Sequence, residues 1–572
     1  MHSLCTSRVT ATTKNIVRST VKKQRLRGRT RHIISTNNNT SFLGTTKTIT
    51  TQPLTRRKET TFNTIIARSS LNTNTINNDD DNNGKSVSDS MDEKDVFNNV
   101  LPAVVVACVG SFLFGFHLGI VNPALDAIAN SLGIAGHAQL KSAIVSIILA
   151  FAAIGSLLAS PLADKLGRRS SLTFCAAPLL VGAGMCAQAM TVSEMLIGRA
   201  ISGIGVGMAS GLVPLYINEI SPENFRGTLG SLVQLSICVG ILAAVLLGIP
   251  YDPNFPALQE SISFLTFSFD KWWRSMFYAA GIPALFLGFA AKVIPESPKW
   301  LRSQGRIQEA IKAEKLLWGG SYQQKQQQMQ LENVQELQQE DEEKLMKKMT
   351  ENGSSSSSSA SWIEALFDPR YRKGVWIGAI LFFAQQFAGI NAVIYFSTPL
   401  FASAGLRYAV MGSVAVCVVN IFGTLLSTKI LDKTGRKPLL KKSFLGMGVC
   451  CVFLSLAALN PSSSISSYVS LYGTLLYIFA FGMGVGPIPG LLAGELNSER
   501  VRAKAMSFAF LSHWVFNFCI GQGFLPIVQK IGIAAVWALF ASVSFISSFM
   551  AQKFLVETRG KSFAEIDKEM NR

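Results

Sequence analysis

The sequence predicts an all-α polytopic membrane protein, with twelve transmembrane helices in two six-helix halves and a helical inner-side loop between the halves. Three observations carry this. Apolar runs of roughly 20 residues, each long enough to cross the hydrocarbon core, recur from about residue 100 onward. A polar stretch, 295–372, separates six such runs from six more. Short charged motifs that follow corresponding runs echo each other across that stretch. Composition agrees: 48% of the 572 residues are hydrophobic, 15% are charged, and mean hydropathy is +0.31. Soluble domains carry about 25% charged residues.

Residues 1–78 hold 14 Lys/Arg and a single acid, Glu59. They are rich in Thr, Ser and Asn and lack an apolar core segment, which excludes a secretory signal peptide. The composition is that of an organelle transit peptide; a disordered cytosolic tail is the alternative. Few amphipathic positions favour a plastid over a mitochondrion. This segment supplies most of the net charge of +18. The other basic residues sit in short loops between apolar runs, a membrane-topology signature that argues against a nucleic-acid partner. Residues 79–98 are acidic and read as a solvated linker.

The first half, 99–294, contains expected spans at 100–122, 142–162, 171–190, 196–217, 228–249 and 274–294. The central loop, 295–372, begins PESPKWLRSQGR, continues with a Gln/Glu/Lys-rich segment of helical character, and ends in the flexible GSSSSSSAS. The second half, 373–556, contains spans at 374–397, 408–431, 441–459, 468–494, 503–526 and 531–555, and 557–572 is a tail. Lys and Arg concentrate after the even-numbered spans, which places those loops and both termini on the inner side. Cys108, Cys175, Cys186, Cys238, Cys417 and Cys519 fall in apolar runs and read as small buried hydrophobes. No spacing suggests a zinc site or a disulfide framework. No metal, no cofactor and no nucleophile–base pair is expected, so the chain does not read as an enzyme.

The echoes are specific. Asp164, Arg168 and Arg169 follow span 2, and Asp432 and Arg436 follow span 8. Glu219 and Arg226 follow span 4, and Glu495 and Arg502 follow span 10. The two acid pairs are 268 and 276 residues apart. Six-span halves with weak internal repeats mean a transporter that rocks about a central site. The charged motifs, joined by Glu296 and Arg306, read as gates whose ion pairs hold the outward-open state and release as the molecule rocks inward. Topology anchoring is the alternative.

Span 7 carries Gln385, Gln386 and Asn391 in an apolar setting. An unpaired amide in hydrocarbon costs several kcal/mol, so these three need partners. They cannot share one face of a regular helix, because neighbouring residues point about 100° apart. Gly389 permits a break, and a broken helix near the midplane is how many transporters build a site. Interhelical glue is the other reading.

From about 100 to 566 the chain resembles the sugar-porter family of the major facilitator superfamily. The matching pieces are DKLGRR (164–169), GRAISGIGVG (198–207), PLYINEISPENFRG (214–227), PESPKWL (295–301), QQFAGINAVIYFS (385–397), DKTGRK (432–437) and VETRGKSFAEI (556–566). FGFHLGIVN (114–122) and GPIPGLLAGEL (486–496) look most like plastidic glucose transporters. The resemblance implies the superfamily's fold and a hexose held by Gln234, Gln385, Gln386, Asn391, Asn420 and Asn517, with Trp514 stacking on the sugar. His513 stands where relatives carry Gln or Asn, and Gly490 replaces a Trp, which reshapes the pocket. His117 occupies the place of the coupling Asp of family proton symporters, with Arg199 near it. A neighbouring guanidinium disfavours an imidazolium, so protons are not favoured as a partner. The resemblance thus implies a monomeric facilitative transporter, of glucose foremost, working by alternating access in the plastid inner envelope. The alternatives are a proton–sugar symporter of plasma membrane or vacuole, and a non-transporting sugar sensor.

Overall fold

The computed structural model describes residues 93–251, 271–319, 361–460 and 463–570. The expected transit peptide, the linker up to residue 92, and the Gln-rich and Ser-rich parts of the central loop lie outside the described residues. No strand occurs among the described residues.

The first set of helices is α1 (Glu93–Gly119), α2 (Val121–Ser131), α3 (Ala138–Leu166), α4 (Arg168–Gln188), α5 (Val192–Ile220), α6 (Arg226–Leu246), α7 (Trp272–Ala290) and the short α8 (Pro298–Ser303). The second set is α9 (Trp362–Phe367), α10 (Arg372–Phe387), α11 (Ile390–Ser403), α12 (Ala409–Thr434), α13 (Arg436–Leu459), α14 (Ser464–Ala480), α15 (Ile488–Glu495), α16 (Glu499–Ile531), α17 (Ile533–Phe554) and α18 (Phe563–Met570). Among the described residues, 11 helices are long and apolar enough to cross a membrane. The expected sixth span corresponds to α7, which is not one of them. Its first turn holds two Trp and Arg274, which dilute a 19-residue helix.

Several boundaries differ from expectation. The acidic linker does not reach residue 98, because α1 begins at Glu93. The expected span 468–494 is three pieces: α14, a π-helical turn Phe481–Val485, and α15. Three glycines and Pro487 within 481–487 explain the interruption. Helix ends follow local chemistry elsewhere. Thr191 and Glu194 form a capping box that opens α5. Gly167 (φ +90°) separates α3 from α4, and Gly435 (φ +92°) separates α12 from α13.

Small residues let the helices approach closely. A side chain on Gly115 of α1 would run into the carbonyl of Ile237 in α6, and one on Gly240 into that of Phe112. Close backbone approach of this kind replaces the hydrophobic drive that is absent in lipid. Within the first set α3 and α4 both pack on α5, and α1 packs on α6. Within the second set α13 packs on α17, and α10 on α16. Between the sets the contacts run α3 to α16, α6 to α12 and α2 to α11. Of the named cysteines, Cys519 departs from expectation. It is exposed on α16, whereas Cys108, Cys175, Cys186, Cys238 and Cys417 are buried.

Candidate functional site

The helix break falls where the amides crowd. Gly389 (φ +98°) ends α10 and starts α11, and the Tyr477 hydroxyl donates to the carbonyl of Ala388 beside it at 2.8 Å. Both amide hydrogens of Gln385 are used, on the carbonyls of Val485 at 2.7 Å and Gly486 at 3.1 Å. Those carbonyls lie at the interruption between α14 and α15. One broken helix therefore satisfies another. Gln386 Nε2 donates to Gln385 Oε1 at 3.1 Å and lies 2.9 Å from His513 Nδ1. Asn391 Nδ2 donates to Gln386 Oε1. Asn517 accepts from the Tyr395 hydroxyl at 3.1 Å. Trp514 is buried, its ring centre 5.3 Å from His513 and 5.5 Å from Phe114 of α1. Six of the expected residues thus form one neighbourhood of amides and aromatic rings. All can donate and accept, or stack, which suits a polyhydroxylated ligand.

Gln234 and Asn420 form a second group on the α6–α12 seam. Each amide nitrogen points at the sulfur of Cys238, at 3.6 Å. A thiol is a weak acceptor, so these two amides remain ready for a better partner. Neither Cys238 nor Tyr395 is expected at the site from sequence. Tyr395 has a signal, since it lies within the same QQFAGINAVIYFS piece; a buried Cys carries none.

Arg199 and His117 come together, but through the backbone. The guanidinium donates to the carbonyls of His117 at 2.7 Å, Ile144 at 3.1 Å and Val145 at 3.5 Å. Both side chains are fully buried, and neither ring nitrogen of His117 has a hydrogen-bond partner among the described residues.

The charged motifs build the same device twice. Arg168 makes a bidentate pair with Glu219 (2.8 and 2.9 Å) and touches Asp164 at 3.2 Å. Arg436 pairs with Glu495 at 3.1 Å. Glu296 accepts from the amides of Arg168 and Arg169 at 2.9 and 3.1 Å. Glu557 accepts from those of Arg436 and Lys437 at 3.0 and 2.9 Å. Each carboxylate thus sits on the first amides of a helix, where unsatisfied N–H groups favour an anion. Glu557 is not among the expected residues, although PESP and VETR both place a Glu just beyond a terminal helix of a set. Each pair stays within one set of helices. Arg226 is exposed, Arg502 donates to the carbonyl of Asn497 at 3.3 Å, and Arg306 pairs directly with Glu309 while lying within electrostatic reach of Glu296. The side chain of Asp432 lies outside what the structure describes.

The hydrogen bonds between the two sets lie away from these motifs. Ser146 donates to Gln522 at 2.7 Å, and both stand about 30 Å along their helices from the charged end. At that far end Asn122 donates to Ile394 O (2.7 Å) and Ser397 Oγ (2.8 Å) and accepts from Thr398 N at 3.0 Å.

Known proteins resemble this chain over most of its length. The family model for "Sugar (and other) transporter" matches residues 103–570. Plastidic glucose transporter 4 of Arabidopsis thaliana is 42% identical over 469 residues, 82% of this chain and 80% of the relative. The Glucose transport protein of Synechocystis is 32% identical over 494 residues, 81% of this chain and 95% of that one. Among solved structures, the inward-open xylose transporter XylE from E. coli has a TM-score of 0.64 and 26% identity, covering 83% of this chain and 99% of that chain. The proton:xylose symporter XylE bound to 6-bromo-6-deoxy-D-glucose has a TM-score of 0.62 with the same identity and coverage.

Proposed function

The chain belongs to the sugar transporter family, and on that premise we propose a facilitative glucose transporter of the plastid inner envelope. Membership makes it a membrane transporter rather than an enzyme. In the proposed architecture α7 is the sixth span and brings the total to twelve, and the sets before residue 320 and after residue 360 are the two six-helix halves. The charged end is the inner side.

The observation that carries the reading is the amide network around Gly389. Gln385, Gln386, Asn391, His513, Trp514 and Asn517 surround a helix break, with Gln234 and Asn420 across the α6–α12 seam. A hexose displaces the weak thiol contacts and takes the amides' spare donors and acceptors. The outer end is held shut by Asn122 and Ser146, so this geometry corresponds to an inward-facing state, in keeping with the similarity to the inward-open relative. Alternating access then requires those bonds to part and the charged ends to close. Arg168–Glu219 and Arg436–Glu495 hold each half rigid while it rocks.

Uniport is supported by Arg199. Among the described residues its partners are backbone carbonyls and not a carboxylate, which leaves the guanidinium without the acid that would exchange a proton against it. A plastid address is supported by the composition of residues 1–78 and by the plastidic relatives. Proton symport is the second reading, favoured by the similarity to a proton:xylose symporter. Radiolabelled glucose uptake by the full chain in proteoliposomes decides. Equilibration indifferent to an inward proton gradient supports the uniporter. Accumulation that a protonophore collapses establishes the symporter. No uptake of any hexose overturns both.

A further inference from the structure

Phe510 begins a stripe on α16. Residues 510, 513, 514 and 517 follow helical spacing on one face. That face is turned inward: His513 meets Gln386, Trp514 meets Phe114, and Asn517 meets Tyr395. Phe510 lies one turn nearer the charged end. Phe382, one turn before Gln386 on α10, moves with it, and the two ring centres are 5.4 Å apart. Below the Gln386–His513 layer there is therefore an aromatic layer. Phe382 is buried at 4%, but Phe510 is 42% exposed. A large ring on an inward-turned face gains nothing from lipid, so its exposure is toward the interior passage.

Opposite it stands Gly490 of α15. Among the described residues, a Cβ added there meets a single neighbour within 4 Å, the Phe510 ring at 3.8 Å. The room beside Phe510 exists because position 490 has no side chain. A bulky residue at 490 and a ring at 510 would compete for the same space.

We propose that Phe510 is an aromatic sugar-contacting residue on the charged-end side of the amide network, and that the Phe510–Gly490 pair sets the bulk of sugar that passes. This rests on the hexose-transport reading above. The ring offers a flat apolar face to the C–H side of a sugar leaving the amides, and Gly490 keeps the opposite side open.

The test compares D-glucose uptake by proteoliposomes of the full chain with that of four variants. Phe510→Ala raises KM about tenfold and leaves the maximal rate near that of the parent, the effect of losing one stacking contact. Phe510→Tyr keeps the parent KM. Gly490→Trp suppresses uptake, and Gly490→Trp with Phe510→Gly restores it, because the two side chains exchange one space. Thermal unfolding of each purified variant shows that it is folded. An unchanged KM in Phe510→Ala, or a double variant no better than Gly490→Trp alone, overturns the proposal while glucose transport by the parent stands. A parent that moves no hexose overturns the transport reading itself.

Discussion

The guanidinium of Arg199 donates to the backbone carbonyl of His117 at 2.7 Å, while both imidazole nitrogens go without a partner among the described residues. The contact fixes α5 to the C-terminal turn of α1 through the main chain. The identity of the side chain at 117 is irrelevant to it. His117→Ala is therefore expected to keep glucose uptake within about twofold of the parent. Uptake should stay indifferent to external pH from about 5.5 to about 7.5, the range where an ordinary histidine titrates. A pH dependence present in the parent and lost in the variant would identify His117 as a proton carrier. Arg199 itself is another matter. Its removal takes a charged donor from three buried carbonyls, of which those of Ile144 and Val145 lie inside α3 and keep their helical N–H partners, and a lost hydrogen bond to a charged group costs about 1.5–3 kcal/mol. Arg199→Ala should unfold at clearly lower temperature than His117→Ala. Equal melting temperatures for the two would show that the carbonyls find other donors.

Glu296 and Glu557 occupy equivalent places but titrate in opposite senses. Burial raises the Glu296 carboxyl above its usual 4.5, against the amides of Ser297, Arg169 and Arg168. Burial also pulls Glu557 upward, but the amides of Arg559, Arg436, Lys437 and Thr558 outweigh it and hold the carboxyl below 4.5. A raised acid contributes stability below its unfolded pKa, and that contribution is lost as pH rises through the folded value. A lowered acid contributes above its unfolded pKa, and loses it as pH falls through the folded value. The melting temperature of Glu296→Gln relative to the parent should thus rise with pH, and that of Glu557→Gln should fall. Thermal unfolding of both from about pH 3.5 to about pH 7 reads the slopes. Slopes of the same sign would mean the two sites are not electrostatic opposites.

Gly389 is the hinge of the site. Its φ of +98° and the Phe540 ring against its Cα both exclude a side chain. Gly389→Ala costs about 1–2 kcal/mol from the backbone alone. The clash adds to this. Phe540→Ala should relieve the clash and not the backbone strain, so the double variant recovers only part of the lost stability relative to Phe540→Ala. Full recovery would show that φ at 389 is free to relax.

Much of this site is legible in sequence for a physical reason. Gln385, Gln386 and Asn391 cannot share a helical face, and Gly389 lies among them, so the residues permit the break that the structure places at Gly389. The doubled charged motifs are legible because Asp164, Glu219 and their counterparts keep nearly constant spacing. Glu557 is hidden because 77 residues separate Glu219 from Glu296 and only 62 separate Glu495 from Glu557, which destroys its register with Glu296. The roles of Cys238 and Phe510 are invisible for another reason. Each depends on which face of one helix meets another, and a helix apolar on nearly all sides gives no periodic signal. The interruption at 481–485 is concealed in the same way, inside an apolar run of ordinary span length.

Asn122 bridges one turn of α11. Its amide nitrogen donates to the carbonyl of Ile394 and its amide oxygen accepts from the N–H of Thr398, four residues further on. The side chain is thus a latch between α11 and the chain just after α1. In Asn122→Ala all three of its bonds to α11 are gone and with them the latch. Disulfide formation between Ser146→Cys and Gln522→Cys, whose native side chains touch at 2.7 Å, reports closure of that end. It should be several-fold slower in the Asn122→Ala background, about 1 kcal/mol of lost closure. An unchanged rate would mean that Ser146 and its neighbours hold the end shut without Asn122.

The amides of span 7 divide by what they already hold. Gln385 spends both hydrogens on Val485 and Gly486 and accepts from Gln386. Its replacement uncovers two carbonyls at the α14–α15 interruption, so Gln385→Leu should lower thermal stability first. Asn391 donates to another side chain, Gln386, and among the described residues holds no backbone group by its amide nitrogen. A ligand can take that hydrogen from Gln386 without breaking a helix. Asn391→Ala should therefore raise KM for glucose by about tenfold or more, one lost hydrogen-bonding partner, with a smaller drop in melting temperature than Gln385→Leu. The two measurements together separate scaffold from contact. If Gln385→Leu melts like the parent and only its KM rises, Gln385 serves the sugar and the carbonyls of Val485 and Gly486 do not need it.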